Sequence, residues 1–428
     1  MAVSTALISP WYVLFVCDHS DIINQPSRDR SSRGYGYQPG NSRVPWYFRT
    51  SLIVWCMVAV ATLSAAEPPV YETLEQLGEG LFFDVNLSQR RSQSCATCHS
   101  PETAFTDTRS NSVGGAVSLG DDGMSLGDRN TPTLGYISLS PDFHINRAGD
   151  YRGGFFLDGR AANLTAQAGR PIFNPAEMAL PDTASLRARI MENPRYLASM
   201  KRLFGDSVFT DSDRVQQAVA QSIAAFERTA RFAPFDSKYD RYLRGEYQMT
   251  RREEQGRVVF FSELLNCNGC HLLDQPQRET FTDNRYHNVG TPVNELLLEH
   301  MGTSAGQPDL GLANNPAVTD GAQRGKFRTP TLRNVAVTGP YMHNGVFDDL
   351  RTVLLFYNTY FVGGTSNPES GAAWSAPEVG ENIDQALLSK GQPMDTARID
   401  AVLAFLHTLT DRRYEHLLFA DSRSSDSR

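Results

Sequence analysis

Apolar positions recur at helical spacing in two matched places along the chain. Val215, Ala218, Val219, Ser222, Ile223 and Phe226 share one face of the segment from Val215 to Arg228. Ile399, Val402, Leu403, Phe405, Leu406 and Leu409 do the same between Thr396 and Leu409. This period predicts an amphipathic helix in each place, with its apolar stripe against a core. Two more helices are predicted over Tyr71–Phe83 and Arg251–Leu265. The connections Asp107–Asp128 and Gly302–Gly325 are long, rich in Gly, Pro and Asn, and predict little regular structure. The expected fold class is all-α.

The pattern also repeats internally. Phe105-Thr106-Asp107-Thr108-Arg109 is matched by Phe281-Thr282-Asp283-Asn284-Arg285, and the Thr-Pro-Thr-Leu stretch Thr131–Leu134 by Thr329–Leu332. An aromatic-rich segment follows each, ending in Asp158-Gly159 or Asn344-Gly345. Two domains of one kind are therefore expected. They would span residues 67–245 and 246–428 after a leader over 1–66, with the boundary in the polar stretch Lys238–Thr250.

Each half opens on the same chemical signal, Cys95-Ala96-Thr97-Cys98-His99 and Cys267-Asn268-Gly269-Cys270-His271. Cys-x-x-Cys-His reads as a covalent c-type haem attachment site. The thiols add to the vinyl groups and the adjacent His becomes an axial iron ligand. The other reading is one zinc site built from the four thiols, which would not need a His after each second Cys. Two covalent haems would supply much of each small core, so long irregular loops are tolerable.

Composition narrows the setting. The 428-residue chain is 40% hydrophobic with a formal net charge of −8, and has no long basic run. No nucleic-acid partner is implied. Cys17 and Cys56 fall in the leader, leaving no later cysteine for a structural disulfide. An apolar core over Ser51–Thr62 follows Arg43 and Arg49 and precedes Ser64-Ala65-Ala66. This predicts a signal peptide over about residues 44–66, translation starting near Val44, cleavage near Ala66 and a periplasmic mature protein. The rival reading is an uncleaved anchor, for which the apolar run is short.

The sequence resembles the bacterial di-haem cytochrome c peroxidase family, including its MauG branch. The resemblance covers nearly all of residues 70–411. Besides the haem motifs it rests on Asp128-Arg129-Asn130-Thr131-Pro132-Thr133, Leu157-Asp158-Gly159-Arg160-Ala161, Glu177-Met178, Phe327–Asn334 and Pro340-Tyr341-Met342-His343-Asn344-Gly345. It implies two cytochrome-c-like haem domains, hydrogen peroxide reacting at the N-terminal haem, and calcium between the domains. Carried over by position, His99 and His271 would be the proximal ligands. Asn130 and the carbonyls of Thr338 and Pro340 would hold calcium, although Asn130 also suits a turn cap before Pro132. Glu177 matches the catalytic glutamate, with Gln167 and Pro171 beside it. Its plainer reading is a helix-entry acid after Pro175.

Some family members close the peroxide site with a His after the first motif, but Ser100–Arg129 contains none. His144 lies beyond and reads as a surface residue. The second ligand of the other haem falls fourteen residues after His343, on Tyr357, where peroxidases carry Met and the MauG branch Tyr. Met342, Met394 and His343 are the alternatives. Two departures stand out. Leu157 replaces the Trp that relays electrons between the haems, and Glu263-Leu264-Leu265 lacks MauG's surface Trp. Charge between the haems would then tunnel or pass by Phe155, Phe156 or Tyr151. Trp374 remains, in a Gly/Ser/Ala-rich stretch expected to be a surface loop. The leading expectation is a peroxide-reducing di-haem oxidoreductase. Its electrons would come from a small cytochrome c, a cupredoxin or a protein substrate being modified. The runner-up is a non-catalytic electron-transfer cytochrome. The sequence does not give the oligomeric state; a homodimer is compatible with the family's tendency to dimerise.

Overall fold

The computed structural model describes residues 70–301 and 307–419. The expectations for the leader lie outside these residues. The regular structure is mostly helical. The first half carries α1 (Leu74–Phe82), α2 (Cys95–Cys98), α3 (Leu164–Ala168), α4 (Thr183–Met191), α5 (Pro194–Phe204) and α6 (Ser212–Glu227). The second carries α7 (Lys238–Leu243), α8 (Arg251–Phe260), α9 (Glu295–Met301), α10 (Leu350–Val362), α11 (Gln385–Leu388) and α12 (Thr396–His407). The departure from all-α consists of two short antiparallel pairings, His144–Ile145 with Tyr151–Arg152 and Tyr286–His287 with Phe327–Arg328.

The internal repeat is structural as well as sequential. In each half the helix before the haem motif crosses the closing amphipathic helix on a glycine. A Cβ on Gly78 of α1 would lie well inside 3.0 Å of the Ser222 carbonyl oxygen of α6, and one on Gly256 of α8 equally close to the Ala401 carbonyl of α12. Propensity alone favours Ala over Gly inside a helix by about 0.5–1 kcal/mol. The crossing reverses that sign, because overpacking costs about 1–3 kcal/mol and sometimes more. Gly256→Ala should therefore lower the denaturant midpoint of the haem-loaded protein at unchanged slope; a raised midpoint would show that the helices part at little cost.

Around each crossing sits a core. Leu77, Leu81, Phe82, Val219, Ile223, Phe226 and Phe232 build the first, and Tyr239, Phe260, Phe281, Val402, Phe405 and Leu406 the second. Part of the stretch expected to hold the boundary is regular structure. Lys238–Leu243 is a helix started by a Ser237/Asp240 capping box. Tyr239 belongs to the second core, and Asp240 receives a two-pronged ion pair from the fully buried Arg333 at 2.7 and 2.9 Å. The buried residues of the first core end at Phe232 and those of the second begin at Tyr239.

The described residues form one compact unit. The halves are joined by buried polar contacts. Tyr136 of the first half donates its hydroxyl to Asp411 at 2.5 Å, and Asn334 both donates to and accepts from Asp411 at 2.8 Å. Tyr136 and Asn334 occupy matching places in the repeat and the same left-handed conformation, φ 61°. Among the described residues no helix is long and apolar enough to cross a membrane.

Candidate functional site

Both haem motifs face a shared cavity of about 480 Å³ between the halves. In the first, Ser94 starts α2, which holds Cys95 and Cys98 one turn apart and ends at His99. His99 Nδ1 lies 3.1 Å from the Phe105 carbonyl, and His271 Nδ1 lies 2.8 Å from the Phe281 carbonyl. Phe105 and Phe281 both sit at left-handed φ, 59° and 53°, which turns the loop after each motif back over its histidine. A carbonyl can only accept, so Nδ1 carries the proton and Nε2 presents its lone pair. Burial disfavours the imidazolium of both rings, keeping them neutral and ligating-competent.

The thiols are unpaired. Burial pushes Cys98 up to about 11 and Cys267 up to about 12, and Cys95 higher still. They do not converge. Among the described residues the only close group of three metal-binding side chains is Cys270, Asp283 and His287, and there His287 is already held by Asp283 at 2.9 Å and Asp384 at 3.1 Å. The zinc reading is therefore overturned. Two thiols beside a neutral histidine held through Nδ1, twice over and at the wall of a mainly apolar-lined cavity, fit covalent haem.

The catalytic candidates come together. Gln167 on α3, Pro171 at the head of a one-turn 3-10 helix, and Glu177 line this cavity along with His99. Glu177 is outside any helix, so the helix-entry reading fails. Asn174, which sequence reasoning missed, positions it. Asn174 Oδ1 accepts from the Ala176 amide at 3.1 Å, closing an Asx turn, and its Nδ2 donates to Glu177 Oε1 at 2.7 Å. The Asn-Pro dipeptide before Glu177 was the available signal. Burial raises the affinity of Glu177 for a proton, partly offset by that hydrogen bond.

Tyr357 on α10 lines the cavity with Cys267, Cys270 and His271. Burial, first of all, disfavours its phenolate. Of the alternatives, His343 is engaged, with Nε2 2.8 Å from Glu378 and its ring stacked 3.7 Å from Phe327. Met342 and Met394 line the cavity too. Asn130, Thr338 and Pro340 share its wall. The Asn130 side chain donates to the Ala116 carbonyl at 2.9 Å, fourteen residues back, rather than capping its own turn.

Leu157 reaches the cavity from a strained turn, φ 61°, with its carbonyl accepting from the Arg328 amide at 2.8 Å. Phe155 and Phe156 line the cavity as well, whereas Tyr151 turns away to stack on Phe143 at 5.8 Å. His144 is exposed. Trp374 departs from expectation: it is half-buried against Phe347 and Phe356, edge to face at 5.6 and 5.7 Å.

Residues 72–248 match the family model described as di-haem cytochrome c peroxidase. The chain is 50% identical over 368 residues to the methylamine utilization protein MauG of Paracoccus denitrificans (strain Pd 1222), covering 85% of this chain and 95% of that one. The chain belongs to the MauG/di-haem cytochrome c peroxidase family. As a member it is an oxidoreductase whose two motifs are expected to carry two haems c. More distant members include the cytochrome c551 peroxidase of Nitrosomonas europaea, 29% identical over 69% of this chain and 78% of that one. The di-haem peroxidase BthA of Burkholderia thailandensis superposes at a TM-score of 0.71 with 33% identity, covering 81% of this chain and 88% of that one. A tyrosine-to-methionine variant of BthA keeps the likeness at 0.70.

Proposed function

We propose that this family member is a periplasmic enzyme that reduces hydrogen peroxide at the site formed by His99. Electrons would come from a small cytochrome c, a cupredoxin or a protein substrate. The observation that carries the reading is Glu177, a buried carboxyl held by Asn174 at the wall of the cavity that receives His99. When bound, the haem iron supplies the electrons and a coordination position for a peroxide oxygen. Glu177 takes the proton from one peroxide oxygen and returns it to the other as the O–O bond breaks, with two electrons and two further protons giving two waters. Gln167, which lines the same cavity, would hydrogen-bond the peroxide through its amide. Pro171 has no N–H and keeps that wall without a competing donor.

Tyr357 would be the second ligand at the His271 site, and Asn130, Thr338 and Pro340 would hold calcium. An anionic phenolate favours ferric and higher states, whereas a thioether raises the potential. That preference, with the 50% identity to MauG, favours a protein substrate as the electron source, whereas Leu157 in place of the relaying Trp weakens that reading and keeps a small redox protein as a donor. A pure electron carrier would have no use for Glu177. Low-temperature EPR of the ferric protein tests the reading. One high-spin and one low-spin signal are expected, and two low-spin signals would favour the carrier.

A further inference from the structure

Between residues 67 and 428 the sequence contains a single tryptophan, Trp374. Its indole packs edge to face on Phe356 at 5.7 Å, and Phe356 lies 5.9 Å from the ring of Tyr357, its neighbour on α10. Phe347 also packs edge to face on the indole, at 5.6 Å, and lies 5.2 Å from Phe356, so the three rings form one cluster. The indole Nε1 is buried without a hydrogen-bond partner, which is uncommon, since buried Trp N–H groups usually find an acceptor. The residue is only half-buried, and Gly371, Ala372, Ala373, Ala376 and Pro377 around it are exposed. One part of the ring therefore approaches the surface while another touches the aromatic packing of the Tyr357 helix.

We infer that Trp374 is the relay through which electrons enter the second haem site from a reduced protein outside. This rests on the peroxide-reducing reading above. Trp374 gives one electron to the oxidised second site across the packed Phe356 ring, which is too hard to oxidise to act as a stop itself. The external donor, a small c-type cytochrome or cupredoxin, then restores that electron. The buried N–H has no base to accept its proton, so the oxidised indole remains a cation and returns to neutral indole without a proton transfer. Two such transfers match the two electrons used per hydrogen peroxide, and the two protons come from solvent at the first site. Leu157 and Leu265 offer no oxidisable ring, so this path does not duplicate another built from tryptophan.

The test uses the haem-loaded protein, hydrogen peroxide, and reduced cytochrome c as the protein-sized donor. Peroxide without donor should add oxygen to the Trp374 peptide, detected by mass spectrometry. Trp374→Phe should slow oxidation of cytochrome c at least tenfold while the optical change on adding peroxide keeps its rate. Trp374→Tyr should recover much of the loss, which a packing role would not explain. An unmodified Trp374 peptide together with full-speed Trp374→Phe overturns the relay and leaves the peroxide reading standing. No optical response to peroxide in the unsubstituted protein overturns both.

Discussion

Glu177→Gln slows the reaction with hydrogen peroxide by about 10²–10⁴-fold, the range that a positioned general acid–base group contributes. Glutamine keeps the shape and can still meet Asn174, so the resting spectra of both haems should not change. It cannot take a proton. The pH profile provides a second reading of the same residue. Burial holds the folded pKa of Glu177 above the ordinary carboxylate value. As a base it works only when ionised, so the unsubstituted rate should rise with pH through a midpoint above that ordinary value, and lose activity below it. Glu177→Gln should flatten this limb. Stopped-flow rates between pH 4 and 8 measure both effects (about the window where a perturbed carboxyl titrates). A rate that survives the substitution with its limb intact would remove Glu177 from the chemistry.

Tyr357→Met exchanges a hard anionic oxygen for a soft neutral sulfur at the second site. Axial ligands move haem potentials over a span of roughly 0.8 V, and the thioether end lies high. The second haem's potential should therefore rise by on the order of hundreds of mV, with weaker stabilisation of its oxidised states after peroxide. The fold should tolerate the change, since methionine is flexible enough to fill the space. Redox titration followed at the low-spin haem is the measurement. An unmoved potential would return the ligand role to Met342 or Met394, which line the same cavity.

What the sequence revealed and what it withheld divide along physical lines. Helical spacing located α6 and α12 almost to their ends, because one apolar face on a long segment is a strong periodic signal. The haem motifs, Gln167, Pro171, Glu177 and Tyr357 could be named from spacing and resemblance, and all line one cavity. The helix predicted over Arg251–Leu265 ends at Phe260; Asn266 then takes a left-handed turn, φ 55°, into the motif. Lys238–Leu243 read as part of a polar boundary stretch because its charges dominate its composition. Only the distant Arg333, 93 positions away, shows that Asp240 is a buried partner. Asn174 was missed because its role lies in a local turn that points a neighbour's side chain. Trp374 was misplaced because small residues flank it, while the rings that cover it come from Phe347 and Phe356 elsewhere in the chain.

The Tyr136–Asp411–Asn334 junction has a consequence for dissection of the molecule. Asp411 arrives close to the carboxyl end, yet it satisfies a hydroxyl belonging to the amino-terminal half. A fragment ending near residue 248, where the family model stops, would expose Phe235, which packs on Tyr136 at 4.9 Å, and would leave that phenol without its acceptor. Sequence modularity is thus not autonomy here: the last turns of the polypeptide finish what the first ones begin, and neither haem-bearing segment is cut out to live by itself.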